Sequence, residues 1–308
     1  MIELNINIPD SFLDEEERCG YIVSKQMKEV WSVELDLLAE LLRVCKKHGI
    51  KVFASGGTML GAIRHKGFIP WDDDIDMMMF RSDYDKLCAI AAEEFVEPYF
   101  FQTEYTDRGS LRRHAQLRNS RTTGILTEEF QKGYTFNQGI FIDIFPLDYV
   151  IDDKGKFQKQ YKEANKYNKL YSKISRVTTR FQKNNSPLLK KAVHVIMTYL
   201  NDWFGLEEKY YRKFEKACQK YNNIPSKMIS TLSLDFNNKQ HFKYMEDYQT
   251  LIDVDFEFLK IPVGSNYDHA LRKRYGDYLK FERGTSTHGN VIFDTNKSYI
   301  DYLNDTKE

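Results

Sequence analysis

Residues 70–76 read Pro-Trp-Asp-Asp-Asp-Ile-Asp, which places four carboxylates within five positions. The next residues, up to Phe80, are Met-Met-Met-Phe, and the pattern over 75–80 is that of a strand. Side chains two apart on a strand share a face. Asp74 and Asp76 therefore project together, while Ile75 points into the core. Two ionised carboxylates one strand-step apart repel each other, and a hard divalent cation removes that repulsion. Mg²⁺ suits the role, because it is commonly held by one or two carboxylates plus substrate phosphates; Mn²⁺ is the alternative ion. A lone pair of this kind is more often a solvent-exposed acidic turn, so other residues must decide.

Two further stretches bear on the choice. Ser55-Gly56-Gly57-Thr58 lies between a predicted strand and a predicted helix. Gly56 and Gly57 let backbone approach an anion, the helix N-terminus presents free N–H groups, and Thr58 can cap the helix or contact a phosphate. A Gly-Gly pair by itself is more often a tight turn. Asp143 interrupts the apolar run Phe141-Ile142-Asp143-Ile144-Phe145. Such a residue is costly to bury as an ion unless it is paired or metal-bound. Asp74, Asp76 and Asp143 together would make the three-carboxylate set of two-metal phosphoryl transfer. Arg64, His65 and Lys66 end the predicted short helix. They read either as complements to its C-terminal dipole or, for His65 and Lys66, as contacts to a nucleotide or phosphate. Arg118 is a candidate partner of a phosphate or of Asp143, with a surface strand arginine as the plain alternative. Trp71 reads as a buried anchor or as a ring for stacking on a base or a cationic head. Asp72 and Asp73 read as supporting residues, and Asp148 as the holder of a turn.

The elements that must position these groups follow from periodicity. Residues 32–48 carry Leu35, Leu38, Leu41, Leu42 and Cys45 at helical spacing, with Gly49 as the stop. Strands are expected over 50–55, 75–80, 98–102, 112–119 and 139–145, and Pro146 is expected to end the last. Helices are expected over 58–66 and from a Ser82/Asp85 capping box to about Phe95. Beyond residue 152 the texture changes. Residues 154–191 hold twelve Lys and Arg against the single acid Glu163, with helical periodicity interrupted by Ser186-Pro187 and resuming to about 222. The basic run fits a solvated helix face and a surface for anionic polymer or lipid headgroups equally well. The apolar stretch 192–200 is too short to span a bilayer, and a buried helix face is expected there.

Composition narrows the class. The 308 residues are 42% hydrophobic and 29% charged, which suits an ordinary globular chain of one or two domains. Forty-five Lys and Arg balance forty-five Asp and Glu, so no global field argues for nucleic acid. Cys19, Cys45, Cys88 and Cys218 stand far apart and form no CxxC pair. Reduced, buried thiols are expected, and with an acidic N-terminal stretch that lacks an apolar core they point to the cytoplasm.

The order Gly-Gly, strand-borne Asp-x-Asp, later strand-borne Asp resembles the nucleotidyltransferase superfamily that includes polymerase β-like enzymes. Three blocks narrow the likeness. GGTMLGAIRHKGFIPWDDDIDMMMFRSDYDKL at 56–87 resembles the signature of the LicD family, FIDIFPLD at 141–148 its second block, and IPVGSNYDHALRKRYGDYLKFE at 261–282 its C-terminal block. The resemblance spans about residues 30–290 and is weakest in the basic middle. It implies a nucleotidyltransferase-like mixed sheet with flanking helices, an α/β (α+β) fold. A catalytic core over 1–150 would be followed by a mainly helical part over 151–308 whose last block returns to the cleft. It implies metal ligands at Asp74, Asp76 and Asp143 and a phosphate loop at Gly56, Gly57 and Thr58. It further implies Mg²⁺-dependent transfer of a phosphorylated alcohol, commonly phosphocholine from CDP-choline, to a hydroxyl of a cell-surface glycan or its lipid-linked precursor. Peripheral contact with an anionic membrane at its inner face would suit that acceptor. The alternatives are transfer of the nucleotide itself and a non-catalytic glycan-binding scaffold.

Overall fold

The computed structural model describes residues 1–130, 132–134, 136–179, 188–236, 238–282 and 291–306. Chain order begins with the hairpin β1 (Glu16–Arg18) and β2 (Tyr21–Val23), then α1 (Lys25–His48), β3 (Phe53–Ala54), α2 (Gly56–His65), β4 (Asp76–Phe80) and α3 (Arg81–Glu94). Next come β5 (Tyr99–Gln102), β6 (Ala115–Asn119), β7 (Thr123–Leu126), α4 (Thr127–Phe130) and the long β8 (Ile140–Tyr149). The basic segment forms α5 (Lys154–Thr179), followed by α6 (Leu188–Phe204) and α7 (Leu206–Cys218). The remainder is β9 (Met228–Ser230), β10 (Lys243–Tyr244), β11 (Leu251–Phe256), β12 (Leu259–Gly264), α8 (Tyr267–Tyr275), β13 (Val291–Asp294) and α9 (Tyr299–Asp305).

The central sheet is mixed, as the α/β expectation requires. Its main path runs β10-β9-β8-β4-β3, with β6 also on β8 and β5 on β6. The β4–β8 pair is parallel and sets Asp76 opposite Asp143. All its other pairs are antiparallel. Ile75, Met77, Met79, Ile142 and Ile144 are buried, and Leu35, Leu37, Leu38 and Leu41 of α1 join the same core. The amphipathic face of α1 is thus the layer beneath the sheet. A second, smaller core joins α5 to α7 through Tyr171, Tyr211 and Phe214. The expected break at Ser186-Pro187 lies outside the described residues.

Several boundaries differ from the sequence reading, each for a physical reason. Helix α1 starts at Lys25 because the Ser24 hydroxyl accepts from the Met27 N–H at 3.2 Å, an N-cap upstream of the leucine pattern. It ends as expected, on Gly49 in the left-handed conformation at φ 62°. The Ser82/Asp85 capping box does not form: β4 runs directly into α3, and Phe80 occupies the N-cap without a side-chain bond. Strand β6 begins only at Ala115, after Leu111 and Arg113 take positive φ. Pro146 does not end β8. The Asp143 N–H points to β4, bonding the Ile75 carbonyl at 2.9 Å, so by alternation the ring nitrogen of Pro146 faces the other side. There β6 pairing stops at Ile144 and β9 pairing starts only at Asp148, so no ladder bond is lost.

Asp148 is fully buried at the far end of β8. It accepts from Arg81 Nε and Nη2 at 2.9 and 2.8 Å and from Asn222 Nδ2 at 2.6 Å. This bidentate pair ties α3 to β8 and, through Asn222, to the chain after α7. Removing one member leaves the other charge buried and uncompensated. Asp148→Ala should therefore lose about 3–5 kcal/mol of unfolding free energy in urea titrations. Replacing Arg81 and Asp148 together by Met and Leu should recover much of that loss.

Candidate active site

The acids gather at the N-terminal end of β4, where three elements converge. The β4–β8 register supplies Asp76 and Asp143. Asp143 is buried, and its Oδ1 accepts from Gln116 Nε2 at 2.6 Å and lies 3.0 Å from His114 Nε2. The other His114 nitrogen sits 2.8 Å from the Arg112 carbonyl, so both ring nitrogens face oxygen acceptors. Asp74 lies just before β4. Among the described residues, the set of three carboxylates whose oxygens all fall within 4.8 Å of one another is Asp72, Asp73 and Asp74. Sequence reasoning gave Asp72 and Asp73 only supporting roles; the structure places them beside Asp74, with Asp76 and Asp143 joined by strand register next to that set.

The Gly-Gly turn closes over this group. A Cβ at Gly56 would stand 3.1 Å from Asp76 Oδ2, and one at Gly57 would stand 2.7 Å from Asp72 Oδ2. Gly56 also adopts φ +60°, a conformation that side chains disfavour. The two glycines are therefore needed for close approach to carboxylates as well as for any approach to an anion. Thr58 is buried, and its hydroxyl accepts from the Asp76 N–H at 2.7 Å. It fastens α2 to the first residue of β4. Tyr248 hydrogen-bonds Ser55 and stacks on Phe53 at 4.8 Å, so the C-terminal region buttresses the same turn.

The remaining sequence candidates fall in different places. His65 ends α2 with Nε2 accepting from Arg64 Nε at 2.9 Å, and its ring meets Phe281 and Trp71 edge-on. Burial, then Arg64 and Arg18, push its pKa down to about 4, so it is a neutral ring at physiological pH. Lys66 closes α2 at φ 55° with its side chain exposed, and its carbonyl accepts from the Glu257 N–H at 2.7 Å. Arg118 is completely buried and donates to Gln102 Oε1 and the Gly139 carbonyl at 2.7 Å each, and to Gln116 Oε1 at 2.5 Å. It reaches Asp143 only through Gln116. Arg118 is thus a positioning residue: it holds the amide whose other end binds the carboxylate. Trp71 is half-buried and lines an open cavity of about 450 Å³ with Tyr21, Asp72, Asp73 and Phe293.

Two sets of residues escaped the sequence reading. The first is Glu34. It lies one turn after Trp31, whose indole N–H donates to the Asp72 carbonyl at 3.1 Å. That contact turns this face of α1 toward the acid loop. Glu34 is buried, and its Oε2 has no hydrogen-bond partner among the described residues. Burial first, then Asp74, Asp73, Asp72 and Asp143, raise its pKa well above the ordinary carboxylate value. The only sequence signal was a glutamate inside an apolar helix stripe. The second set is cationic. Lys243, Lys273 and Arg274 line a narrow crevice with Ser55 and Gly56. The Lys243 ammonium is desolvated, with Arg274 adding repulsion and Asp76 opposing it, and its pKa falls to about 7. Lys273 and Arg274 lie in the block 261–282 that was expected to return to the cleft, but no role was assigned to them, and Lys243 lies in a stretch with no motif.

The neighbouring acids act on Asp74. Burial first, then Asp76, Asp72, Asp143 and Asp73, push the Asp74 pKa up to about 10. Clustered oxygen donors and the orphaned Glu34 oxygen fit a hard divalent ion such as Mg²⁺. Asp74, Asp76 and Asp143 would hold it, with Asp72 and Asp73 close enough to share the role.

A mixed sheet with carboxylates paired across β4 and β8 beside a Gly-Gly turn defines a nucleotidyltransferase-type domain. The description LicD/FKTN/FKRP, nucleotidyltransferase domain, matches residues 49–171. The chain is 29% identical over 266 residues to the lipopolysaccharide cholinephosphotransferase LicD of Haemophilus influenzae, covering 82% of this chain and 91% of that protein. It is also 22% identical over 165 residues to an uncharacterized protein of Rickettsia typhi, covering 44% and 48% of the two chains. The chain is thus similar to the LicD family, over residues 49–171 by that domain description and over most of its length by the Haemophilus influenzae relative.

The raised carboxyl pKa values carry a signed prediction. Asp74 has an ordinary value of 3.8, which applies to the unfolded chain, and about 10 when folded. Between the two, the folded state keeps a proton that the unfolded state has lost, so rising pH removes stability. Glu34 acts in the same direction. The Tm of the metal-free protein should fall between about pH 5 and pH 8, and added Mg²⁺ should raise it, by more at the higher pH. A Tm indifferent to pH and to Mg²⁺ would contradict the site's electrostatics.

Proposed function

We propose that this LicD-like phosphotransferase moves a phosphorylated alcohol, phosphocholine from CDP-choline, to a glycan hydroxyl in a Mg²⁺-dependent reaction. The observation that carries the proposal is the pairing of Asp76 with Asp143 beside Asp74, directly under the Gly56–Gly57 turn. A hard divalent ion held by these carboxylates would supply neutralisation of the pyrophosphate oxygens and a lowered pKa at the acceptor hydroxyl.

The chain's own groups divide the remaining work. The crevice cations Lys243, Lys273 and Arg274 suit the donor's pyrophosphate and the single phosphate that leaves with CMP, as point charges and a guanidinium fork. The Ser55–Gly56 turn, at the start of α2, adds backbone N–H groups on the same side. The separate cavity walled by Trp71, Tyr21, Asp72 and Asp73 combines aromatic faces with negative charge. That chemistry suits a quaternary ammonium head better than a neutral polyol, because both the ring quadrupole and the carboxylates favour a cation. Asp143, held by Gln116 and His114, would accept the acceptor's proton. Most of the rate enhancement would come from positioning and charge stabilisation. The named activity of the Haemophilus influenzae relative supports lipopolysaccharide as the class of acceptor.

The test follows which half of the donor moves. Incubation with CDP-choline labelled in the choline, Mg²⁺ and a lipopolysaccharide acceptor should place label on the acceptor and release CMP. Asp74→Asn and Asp76→Asn should each lower that transfer about a hundredfold or more. Transfer of the nucleotide label instead would make the protein a nucleotidyltransferase. Transfer surviving in Asp74→Asn would sink the proposed chemistry.

A further inference from the structure

The stretch 192–200 is expected to be a buried helix face, and the structure shows the reverse. Helix α6 turns its polar residues inward: the His194 ring bonds the Val177 carbonyl of α5 at 2.5 Å, and Asn201 is buried with its side-chain oxygen accepting from the Glu207 N–H at 2.7 Å. Its apolar residues point out. Leu189, Val193, Ile196, Tyr199 and Trp203 follow one another at helical spacing and are 45–76% exposed. Leu188, Val195 and Phe204 flank them and are equally uncovered. At 3.6 residues per turn, these side chains occupy about half the helix circumference without one charge among them. A solvated helix has the opposite pattern. An exposed apolar patch of this size marks an interaction surface.

We propose that α6 lies in the surface of an anionic lipid bilayer, with this face embedded at the headgroup–acyl boundary. Two observations choose lipid over a protein partner. The aromatics are Tyr199 and Trp203, the ring types favoured at membrane interfaces, and they share the stripe with aliphatic side chains. The surroundings are cationic at both ends. Lys190 and Lys191 stand in the first turn of α6, and Lys209, Arg212, Lys213 and Lys216 line an open groove by Gly205, where α6 passes to α7. Helix α5, packed alongside, carries eight Lys and Arg against one Glu. Apolar insertion and headgroup attraction thus act on one surface. No helix among the described residues is long and apolar enough to cross a membrane, so α6 would lie on the bilayer and not span it.

The assignment is independent of the transfer chemistry, and vesicle binding needs neither donor nor acceptor. The full chain should co-sediment with phosphatidylcholine–phosphatidylglycerol vesicles, less with phosphatidylcholine alone, and less as salt rises. Ile196→Glu should lower the bound fraction at least about tenfold, and Trp203→Ala should lower it by a smaller factor. Both side chains are exposed, so the Tm should hold. Absence of wild-type sedimentation with the anionic vesicles, or sedimentation that Ile196→Glu leaves intact, would overturn the proposal. So would a solution dimer that Ile196→Glu dissociates, which would assign the face to a second copy of the chain.

Discussion

The structure is organised around a repulsion. Parallel pairing of β4 with β8 sets Asp76 opposite Asp143, and the loop before β4 brings Asp72, Asp73 and Asp74 to the same end. Nothing in a folding chain favours five carboxylates there, and Glu34 adds a sixth acidic group from below. Much of the surrounding architecture holds them in place. Thr58 grips the Asp76 N–H, Gln116 and His114 hold Asp143, and the Trp31 indole fixes the Asp72 carbonyl. Arg18 and the Phe68 N–H both bind Glu257, which steadies the approach to the loop from the opposite side. Were a divalent cation bound there, relief of that mutual repulsion would supply its affinity.

How much of this could be read from the sequence depended on the range of the signal. Local patterns served well. The α1 stripe and its Gly49 stop, the strand carrying Asp76, and the apolar strand carrying Asp143 were all legible from period and punctuation. Ordered blocks of motif pointed to the LicD family. Residues whose role is created by folding were not legible. Arg118 looked like a ligand contact, yet it is a buried brace for Gln116, because its neighbours on β5 and near Gly139 supply its acceptors. Lys243 gave no signal, since a lysine in a polar stretch has no distinguishing period, and Arg274 was legible only as part of the block 261–282, with no role attached. Pro146 misled because edge or interior is a property of the sheet. It stands where β6 has stopped and β9 has yet to start. Cys19 is exposed where a buried thiol was expected, while Cys45 and Cys218 are buried.

The site has two chemically different sides, and this asymmetry gives the family resemblance its physical content. Lysines and an arginine stand on the crevice side of the Gly-Gly turn, and carboxylates with indole and phenol rings on the cavity side. The donor proposed above, with a pyrophosphate between its nucleoside and its cationic head, would meet the two sides with different parts of the molecule. Helix α6 belongs to a different layer, packed on α5 and away from the acids in the chain's basic middle. Chemistry and attachment can therefore vary separately: a change in the apolar face of α6 leaves the carboxylates untouched.

The claim on which everything else rests is that these carboxylates form a divalent-cation site. Crystals grown with Mn²⁺ and measured at its absorption edge test it without reference to turnover. The account predicts an anomalous peak among Asp74, Asp76 and Asp143, within about 2.3 Å of carboxylate oxygens, that is absent in Asp76→Asn. An empty cluster at saturating Mn²⁺, or a peak elsewhere on the molecule, would contradict it.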